Sequence, residues 1–257
     1  MQPDRAGLRS LYREVAATYE LVNRLLTLGL DARWRQRAAA LAAGELARAA
    51  AAPAGHDRAR CLDVCAGTGE MGAALGDACL RRGLAPPRIV CADLSPAMLA
   101  EARRKPQLAG ASLAIAAAQS LPFRAGSMDL VLMGFAARNV HTHRAALLAA
   151  FGEIHRLLAP GGAFVHLETS QPTCRLWRRL VHLYVAASVR PVGRLVSGSR
   201  SGYRYLAHTI PRFYGAGELS ALLAEAGFAR MRVISLLGGV AAIHVAVKGQ
   251  ARGEAGA

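Results

Sequence analysis

The pattern of apolar and polar positions along the chain changes from a helical period to an alternation of short apolar runs and longer helical stretches. A helical pattern covers residues 8 to about 52 and gives way to an apolar run at 59–64, which predicts a first strand. Further strands are predicted at 88–92, 112–116, 128–133 and 163–168, with helical stretches between them that include 70–82 and 142–158. Strands alternating with helices of this length are typical of parallel strands joined by right-handed crossovers. The fold class is therefore predicted to be α/β, with a doubly wound, mostly parallel sheet.

The end of the chain breaks this alternation. Two strands predicted at 229–236 and 240–247 flank Leu237-Gly238-Gly239, which is typical of a hairpin and predicts an antiparallel C-terminal strand pair. Before them, the segment 173–213 is too long for a plain loop. A helical projection of it places Arg175, Arg178, Arg179, His182 and Arg190 on one side and Leu176, Trp177, Leu180, Tyr184 and Val185 on the other. This pattern predicts an amphipathic helix with a cationic face, either as an ordinary surface helix or as a cover that also meets lipid headgroups.

Composition and charge narrow the classes of protein. With 257 residues, 53% apolar residues and 19% charged residues, the chain is predicted to fold into a packed globular domain. Its 32 Lys plus Arg exceed its 17 Asp plus Glu by 15, and residues 169–217 hold eight arginines and no acid. Such a patch suits an anionic partner. No signal peptide and no run of about 18 apolar residues is present, so a soluble cytoplasmic protein is expected. Five cysteines without paired spacing support neither disulfides nor a metal site.

The candidate chemistry lies where the first two predicted strands end. Asp63 precedes the loop Cys65-Ala66-Gly67-Thr68-Gly69, in which the glycines allow close approach of the backbone to a ligand. Asp93 follows the second strand, 24 residues after Gly69, where a carboxylate can accept hydrogen bonds from both ribose hydroxyls. Together they predict a nucleoside cofactor. Gly72 also completes the spacing used by dinucleotide binders, so the wider sequence has to decide between the two.

That wider sequence resembles a known family. The pattern D-x-x-x-G-x-G followed by an acidic residue resembles class I S-adenosylmethionine methyltransferases, and Tyr19, Asn23, Leu28-Gly29-Leu30 and Trp34 resemble the opening of the ubiquinone/menaquinone C-methyltransferase family. The resemblance continues through Leu121-Pro122-Phe123, Phe135 to Val140, Leu158 to Gly162, Leu167 to Pro172, Tyr203-Arg204-Tyr205-Leu206 and Gly238 to His244. These segments stand in the same order from about residue 12 to 248, nearly the whole chain.

The resemblance implies a class I methyltransferase fold with one antiparallel C-terminal strand, and it implies division of the chain into segments. These are an N-terminal helical cap (1–52), a Rossmann-like core that binds S-adenosylmethionine (53–172), a basic amphipathic insertion or lid (173–213), a C-terminal helix and strand pair (214–248) and a disordered tail (249–257). It also implies which residues contact the cofactor, namely Asp63, Gly67, Thr68, Gly69, Asp93, Ala117, Ala118 and Gly134. Ala117 stands where the family usually has Asp or Asn, and Thr169 where it usually has Phe.

The implied activity is transfer of a methyl group from S-adenosylmethionine to a ring carbon of a polyprenylated quinol. Conversion of demethylmenaquinol to menaquinol is the first expectation. The alternatives are methylation of 2-methoxy-6-polyprenyl-1,4-benzoquinol in ubiquinone synthesis, or of another hydrophobic small molecule. The Asn/Asp-Pro-Pro-Tyr/Phe motif of base-amino methyltransferases is absent from residues 134–138, so nucleic acid is not expected as a partner.

The candidate catalytic residues are Arg138, Asn139, Tyr203 and His208. A guanidinium stays charged and offers forked donors, so Arg138 is predicted to hold the developing quinolate and not to act as a base. Asn139 and Tyr203, with Tyr205, are predicted to orient the hydroxyls, and His208 or His244 to relay a proton. In the alternative interpretation, Arg138 neutralises Glu153 or Glu168 and His244 is a core histidine.

The remaining expectations concern partners. A polyprenyl tail stays in the bilayer, so the basic insertion predicts peripheral contact with an anionic membrane, at the inner face of the cell membrane. The oligomeric state is left open, and a homo-oligomer is compatible with the sequence.

Overall fold

A computed structural model of the chain describes residue 16 and residues 18–50, 58–197 and 207–250. Its helices with both ends described are α1 (Tyr19–Leu26), α2 (Leu30–Ala50), α3 (Glu70–Arg81), α4 (Pro96–Arg103), α5 (Ala137–Val140), α6 (Arg144–Leu157), α7 (Arg175–Ser197) and α8 (Ala216–Glu225). Its strands are β1 (Arg60–Val64), β2 (Arg88–Asp93), β3 (Ser112–Ile115), β4 (Met128–Gly134), β5 (Leu158–Thr169), β6 (Arg230–Leu236) and β7 (Ala241–Val247). Every predicted strand is present, with ends shifted by a few residues.

The seven strands form one sheet in the order β3-β2-β1-β4-β5-β7-β6. The first five run parallel, and β7 pairs antiparallel with both β5 and β6. The predicted doubly wound sheet with an antiparallel C-terminal pair is thus confirmed. Central strands are almost continuously apolar because helices cover both faces. As a result, the carboxyl ends of β1, β2, β3, β4 and β5 meet at one edge, where ligands bind in open α/β sheets.

Local sequence signals explain how the turns at this edge form. Ser95 is the N-cap of α4, where its hydroxyl accepts a hydrogen bond from the Met98 backbone N–H, and Pro96 occupies the first helical position. Gly69 precedes α3 in the left-handed region, with φ of 77°. These turns bring Asp93 and the loop 65–69 to the same edge.

The N-terminal helical pattern is divided where the sequence predicted one continuous stretch. Helix α1 ends at Leu26 and α2 begins at Leu30, because Leu28 and Gly29 both adopt positive φ. The described part of the cap is therefore a helical pair. Helix α2 packs on α3 and on the sheet, and α1 packs on α7 through Val22, which is fully buried against Val185 and Val189.

The insertion contains a helix as predicted, but its two sides are not the predicted ones. Val185 is buried, whereas Leu176 and Leu180, which were predicted to share its apolar side, are 68% and 50% exposed. His182, predicted on the cationic face, is instead half-buried, and its Nε2 lies 2.8 Å from Oε1 of Gln171. The buried side faces α1, so the true division between buried and exposed residues is rotated from the predicted one.

The predicted turn at Leu237-Gly238-Gly239 does join the two antiparallel strands. All three residues have positive φ, and the Leu237 carbonyl accepts a hydrogen bond of 3.1 Å from the indole N–H of Trp177. A Cβ on Gly238 would lie 3.0 Å from that indole nitrogen. The hairpin therefore anchors α7 over the edge of the sheet.

Candidate active site

A cavity of about 250 Å³ lies at the carboxyl ends of β1, β2 and β4. We call it the loop cavity, because the loop 65–68 forms one of its walls. Six of the eight predicted cofactor residues line it: Asp63, Gly67, Thr68, Asp93, Ala118 and Gly134. Gly69 and Ala117 do not line the cavity. Gly69 is the N-cap residue of α3, and Ala117 forms an isolated antiparallel β-bridge with Ser120. Gln119 lines the cavity beside Ala118 and was not predicted.

Backbone N–H groups hold the carboxylate of Asp93. Its Oδ2 accepts a hydrogen bond of 2.9 Å from the Gly67 N–H, and its Oδ1 accepts one of 2.8 Å from the Ser95 N–H. Each carboxylate oxygen has a second acceptor site, so both remain able to accept from a vicinal diol. Burial raises the pKa of Asp93, and backbone hydrogen bonds from Ser95, Gly67 and Leu94 oppose that effect.

Asp63 has a supporting position on the same edge. Its carboxylate is buried and accepts a hydrogen bond of 2.9 Å from the Gly72 N–H, which fixes the first turn of α3 against β1. Burial raises the pKa of Asp63 to about 7. Gly134 leaves room for Met71, since a Cβ on it would lie 2.5 Å from the Met71 Cγ. These two residues therefore shape the wall of the loop cavity.

A second cavity, of about 430 Å³, lies between the helical cap, α7 and the end of β5. We call it the apolar cavity because most of its lining residues are apolar, among them Leu26, Trp34, Val185 and Val240. Tyr19, Arg35 and Phe135 line both cavities and form the wall between them. A molecule in the apolar cavity would therefore lie next to a molecule in the loop cavity.

Arg138 and Asn139 lie on the short helix α5 but on different cavities. Arg138 lines the apolar cavity, and Asn139 lines the loop cavity. The Arg138 side chain is 7% exposed; its Nη1 donates to the Thr169 hydroxyl at 3.1 Å and lies 3.8 Å from Oε1 of Glu168. Its Nε is buried, with no hydrogen-bond partner among the described residues. Of the two acids considered as partners, Glu168 is the neighbour, while Glu153 pairs with Arg156.

Of the other candidate catalytic residues, the two histidines are not among the described residues that line either cavity. Tyr203 and Tyr205 lie outside the described residues. His208 is exposed, its Nδ1 lies 3.1 Å from Nη1 of Arg212, and it lines neither cavity. His244 is buried, with its Nε2 3.0 Å from the Ala216 carbonyl, as expected of a core histidine.

The structure adds residues that the sequence did not single out for chemistry. Arg35 and Glu70 form an ion pair of 2.9 Å that lines the loop cavity. Tyr19, which belongs to the family-like opening of the chain, lies at the wall between the cavities, and burial raises the pKa of its hydroxyl. Arg35 directly follows Trp34, the last residue of the family-like opening, and this position was the available signal for it.

The loop cavity has features that suit a cofactor with a nucleoside part. It offers a left-handed glycine, Gly67, after the end of β1, the carboxylate of Asp93 as an acceptor for a diol at the end of β2, and apolar surface from Leu94, Met98 and Ala118 for a purine.

Solved structures of methyltransferases share the fold of this chain. An S-adenosylmethionine-dependent methyltransferase from Thermotoga maritima, described as a possible histamine N-methyltransferase, matches with a TM-score of 0.59 at 18% identity, over 93% of this chain and 99% of that one. A putative methyltransferase of Haloferax volcanii in complex with the activator Trm112 matches with a TM-score of 0.56 at 18% identity, over 93% and 98%. The fold is therefore that of the class I methyltransferases.

The sequence comparisons give the family. The model of the ubiE/COQ5 methyltransferase family matches residues 2–248, and the chain belongs to that family. A demethylmenaquinone methyltransferase of Thermus thermophilus is 37% identical over 238 residues, which cover 91% of this chain and 98% of that protein. A demethylmenaquinone methyltransferase of Staphylococcus aureus is 37% identical over 190 residues, covering 74% and 76%. The resemblance inferred from the motifs is confirmed, and the protein is a methyltransferase.

Proposed function

We propose that the protein transfers a methyl group from S-adenosylmethionine to a ring carbon of demethylmenaquinol, giving menaquinol. The observation that carries the proposal is the juxtaposition of the two cavities across Tyr19, Arg35 and Phe135. One cavity suits a nucleoside and the other suits an aromatic acceptor, because it combines apolar walls with the buried guanidinium of Arg138 and also borders that of Arg35. The names of the relatives favour the naphthoquinol over the benzoquinol.

The chain's own residues would activate the acceptor. Bound S-adenosylmethionine would supply an electrophilic methyl group. A quinol ring carbon becomes nucleophilic when a ring hydroxyl loses its proton, so the site must stabilise an oxyanion. Arg138 is suited to this, because its Nε is buried without a described partner and Thr169 and Glu168 hold its other end. Tyr19 lies at the wall between the cavities, so its hydroxyl is another polar group that the acceptor would meet beside Arg138 and Arg35.

Two of the predicted roles change with the placement of the residues. Asn139 lines the loop cavity, so we assign it to the methyl-donor side instead of to the ring hydroxyls. We assign no role to His208, because it is exposed and paired with Arg212. The role of Tyr203 stays a prediction.

An anaerobic assay tests the proposed function. Purified protein is incubated with labelled S-adenosylmethionine and either reduced short-chain demethylmenaquinone or the corresponding demethylated benzoquinol. We expect label in the naphthoquinol product, and loss of it in the Asp93→Ala variant. Equal or preferential labelling of the benzoquinol would overturn the choice of ring. Binding of S-adenosylhomocysteine without labelling of either quinol would overturn the acceptor class.

The proposal includes peripheral attachment to the cytoplasmic face of an anionic membrane. Within the described ranges, no helix combines the length and the apolar character needed to cross a bilayer. However, the exposed side of α7 carries Leu176, Leu180 and Leu183 among Arg175 and Arg179. Leucines next to arginines suit the boundary between headgroups and acyl chains, and each arginine near an anionic surface adds about 1 kcal/mol of attraction.

Exposed leucines of the cap continue this surface. Leu21 and Leu28 on or just after α1 are 54% and 80% exposed. Leu28 and Leu180 also line the apolar cavity, so this surface borders the opening through which a polyprenyl tail could remain in the bilayer. The attachment would thus present the ring to Arg138 without extracting the tail.

Liposome flotation tests the attachment. We expect binding to vesicles that contain phosphatidylglycerol, and loss of binding as salt rises from 50 to 500 mM on the scale set by charge screening. Leu176→Ser combined with Leu180→Ser should abolish flotation at low salt. Leu80→Ser is the matched control, since Leu80 is 64% exposed on α3. Flotation that survives the paired change, or that the control abolishes equally, would refute this surface.

A further inference from the structure

The wall of the loop cavity contains a pair of opposite charges, and binding of a nucleoside gives this pair no role. Nη2 of Arg35 lies 2.9 Å from Oε2 of Glu70, and both side chains line the cavity. They are 7% and 14% exposed. Among the described residues that line this cavity, Arg35 is the one lysine or arginine. An ion pair so little exposed, at the wall of a ligand cavity, is costly to desolvate and suits a role in binding.

Three groups surround the guanidinium of Arg35: Glu70, Asp31 and Phe135. Its Nη1 lies 2.6 Å from Oδ2 of Asp31, and the hydroxyl of Thr27 donates to Oδ1 of the same carboxylate at 2.9 Å. The ring of Phe135 lies beneath it, with its centroid 5.1 Å from the Cζ of Arg35. A guanidinium has five N–H donors, so these contacts orient the group without exhausting it.

The position of the pair within the cavity indicates which part of the cofactor it meets. Asp93 and Ala118 lie at the ends of β2 and beyond β3, on the side that suits the ribose and the purine. Glu70 begins α3 next to the loop of β1, and Arg35 also borders the apolar cavity. A methyl donor must present its sulfur toward the acceptor, so its amino acid end lies on the Arg35 side and not on the purine side.

We propose that Arg35 and Glu70 together bind the amino acid end of the cofactor, Arg35 its α-carboxylate and Glu70 its α-ammonium. The inference rests on the proposed use of S-adenosylmethionine but not on the identity of the acceptor. The amino acid end is a zwitterion, so its binding adds no net charge to the buried site. The contact between Arg35 and Glu70 is replaced by two charge-assisted contacts, one from each side chain to the ligand. Asp31 keeps Arg35 in place during this exchange.

The test compares two ligands that differ only in the part the pair would bind. S-adenosylhomocysteine has the amino acid end, whereas 5′-methylthioadenosine lacks it and keeps the nucleoside. Affinities are measured by titration calorimetry on the full chain. In Glu70→Gln and Arg35→Met we expect the affinity for S-adenosylhomocysteine to fall about 10- to 100-fold, the range for hydrogen bonds to charged groups. The affinity for 5′-methylthioadenosine should stay within about twofold.

Arg24→Gln is the matched control. The Arg24 guanidinium faces the same two carboxylates, at 4.0 Å from Asp31 and 3.8 Å from Glu70, but it is 53% exposed and lines neither cavity. It should bind both ligands as the unchanged protein does. If Arg35→Met does not fold, because Asp31 is left buried without its partner, Glu70→Gln decides the question alone.

Two outcomes would overturn the inference. One is an equal loss of affinity for both ligands in Glu70→Gln, which would mean that the ion pair only shapes the loop. The other is unchanged affinity for S-adenosylhomocysteine. Failure of the proposed function is separate: it shows as unchanged protein that binds S-adenosylhomocysteine but labels no quinol.

Discussion

Glycines at the two ends of α3 have the same backbone requirement but different surroundings, which makes them a matched pair for substitution. Gly69 precedes the helix with φ of 77°, and Gly83 follows it with φ of 66°. An added Cβ at Gly69 would lie 2.5 Å from Cδ1 of Leu108 and 2.9 Å from the Cβ of Ala102, whereas nothing lies within 4 Å of one at Gly83. Only the first substitution therefore combines strain with overlap.

The magnitudes follow from these contacts. The left-handed conformation costs an alanine about 1–2 kcal/mol, and that cost applies to both variants. Overpacking of a filled core adds about 1–3 kcal/mol. We therefore expect Gly83→Ala to lower the free energy of unfolding by about 1–2 kcal/mol and Gly69→Ala to lower it by about 2–5 kcal/mol. For a chain of this size each kcal/mol corresponds to about 2–4 °C in the melting temperature.

Urea unfolding of both variants in the absence of ligand measures the difference. Adding Leu108→Val to Gly69→Ala removes the Leu108 Cδ1, so the two changes together should cost less than the sum of their separate costs, by about 1 kcal/mol. Equal losses for Gly69→Ala and Gly83→Ala, or strict additivity with Leu108→Val, would refute the packing argument.

Three further predictions concern the site and the core. Arg138→Gln should lower methyl transfer by about 10- to 150-fold, the worth of a charge-assisted hydrogen bond, and leave the affinity for S-adenosylhomocysteine unchanged, because Arg138 lines only the apolar cavity; parallel loss of both would contradict this. Gly67→Ala should lower the free energy of unfolding about as much as Gly83→Ala, since nothing lies within 4 Å of a Cβ added at Gly67. It should also lower the affinity for S-adenosylhomocysteine about tenfold, because the open space beside Gly67 belongs to the loop cavity. Unchanged affinity in calorimetry would count against this prediction. Burial lowers the pKa of His166 well below 6.5, so at acidic pH the unfolded chain binds a proton that the folded chain does not bind. The free energy of unfolding should therefore decrease as the pH is lowered from 6.5, by up to about 1.4 kcal/mol per pH unit. His166→Leu should remove that share of the slope in urea unfolding between pH 5 and 7.5, and an unchanged slope would refute the assignment.

The parts of the site encoded by contiguous segments were predictable. A strand, a glycine loop and an acid after the next strand are local features, and parallel strands bring their ends together, so Gly67 and Asp93 meet as expected. Arg35 and Glu70 were not predictable in the same way. They lie 35 residues apart on α2 and α3, and only the packing of those two helices creates their contact.

The side assignment on α7 was wrong for a related physical reason. A helical projection separates polar from apolar residues, but it does not show in which direction the core lies. The partner of α7 is α1, whose Val22 draws Val185 and Val189 inward, and this rotation leaves Leu176 exposed and His182 half-buried. The break between α1 and α2 had a signal in Gly29, and the neighbouring Leu28, which is 80% exposed, also adopts a positive φ there.

The departure at Thr169 illustrates how a change from the family pattern acquires meaning only in three dimensions. In the sequence it reads as the loss of an apolar residue near the acceptor. In the structure its hydroxyl donates to Oε1 of Glu168 at 2.9 Å and accepts from Nη1 of Arg138. Glu168 therefore balances the buried positive charge from 3.8 Å, largely through Thr169 and not through a close ion pair. Since a close ion pair would occupy the guanidinium, this arrangement keeps the Nε side of Arg138 available to an oxyanion in the apolar cavity.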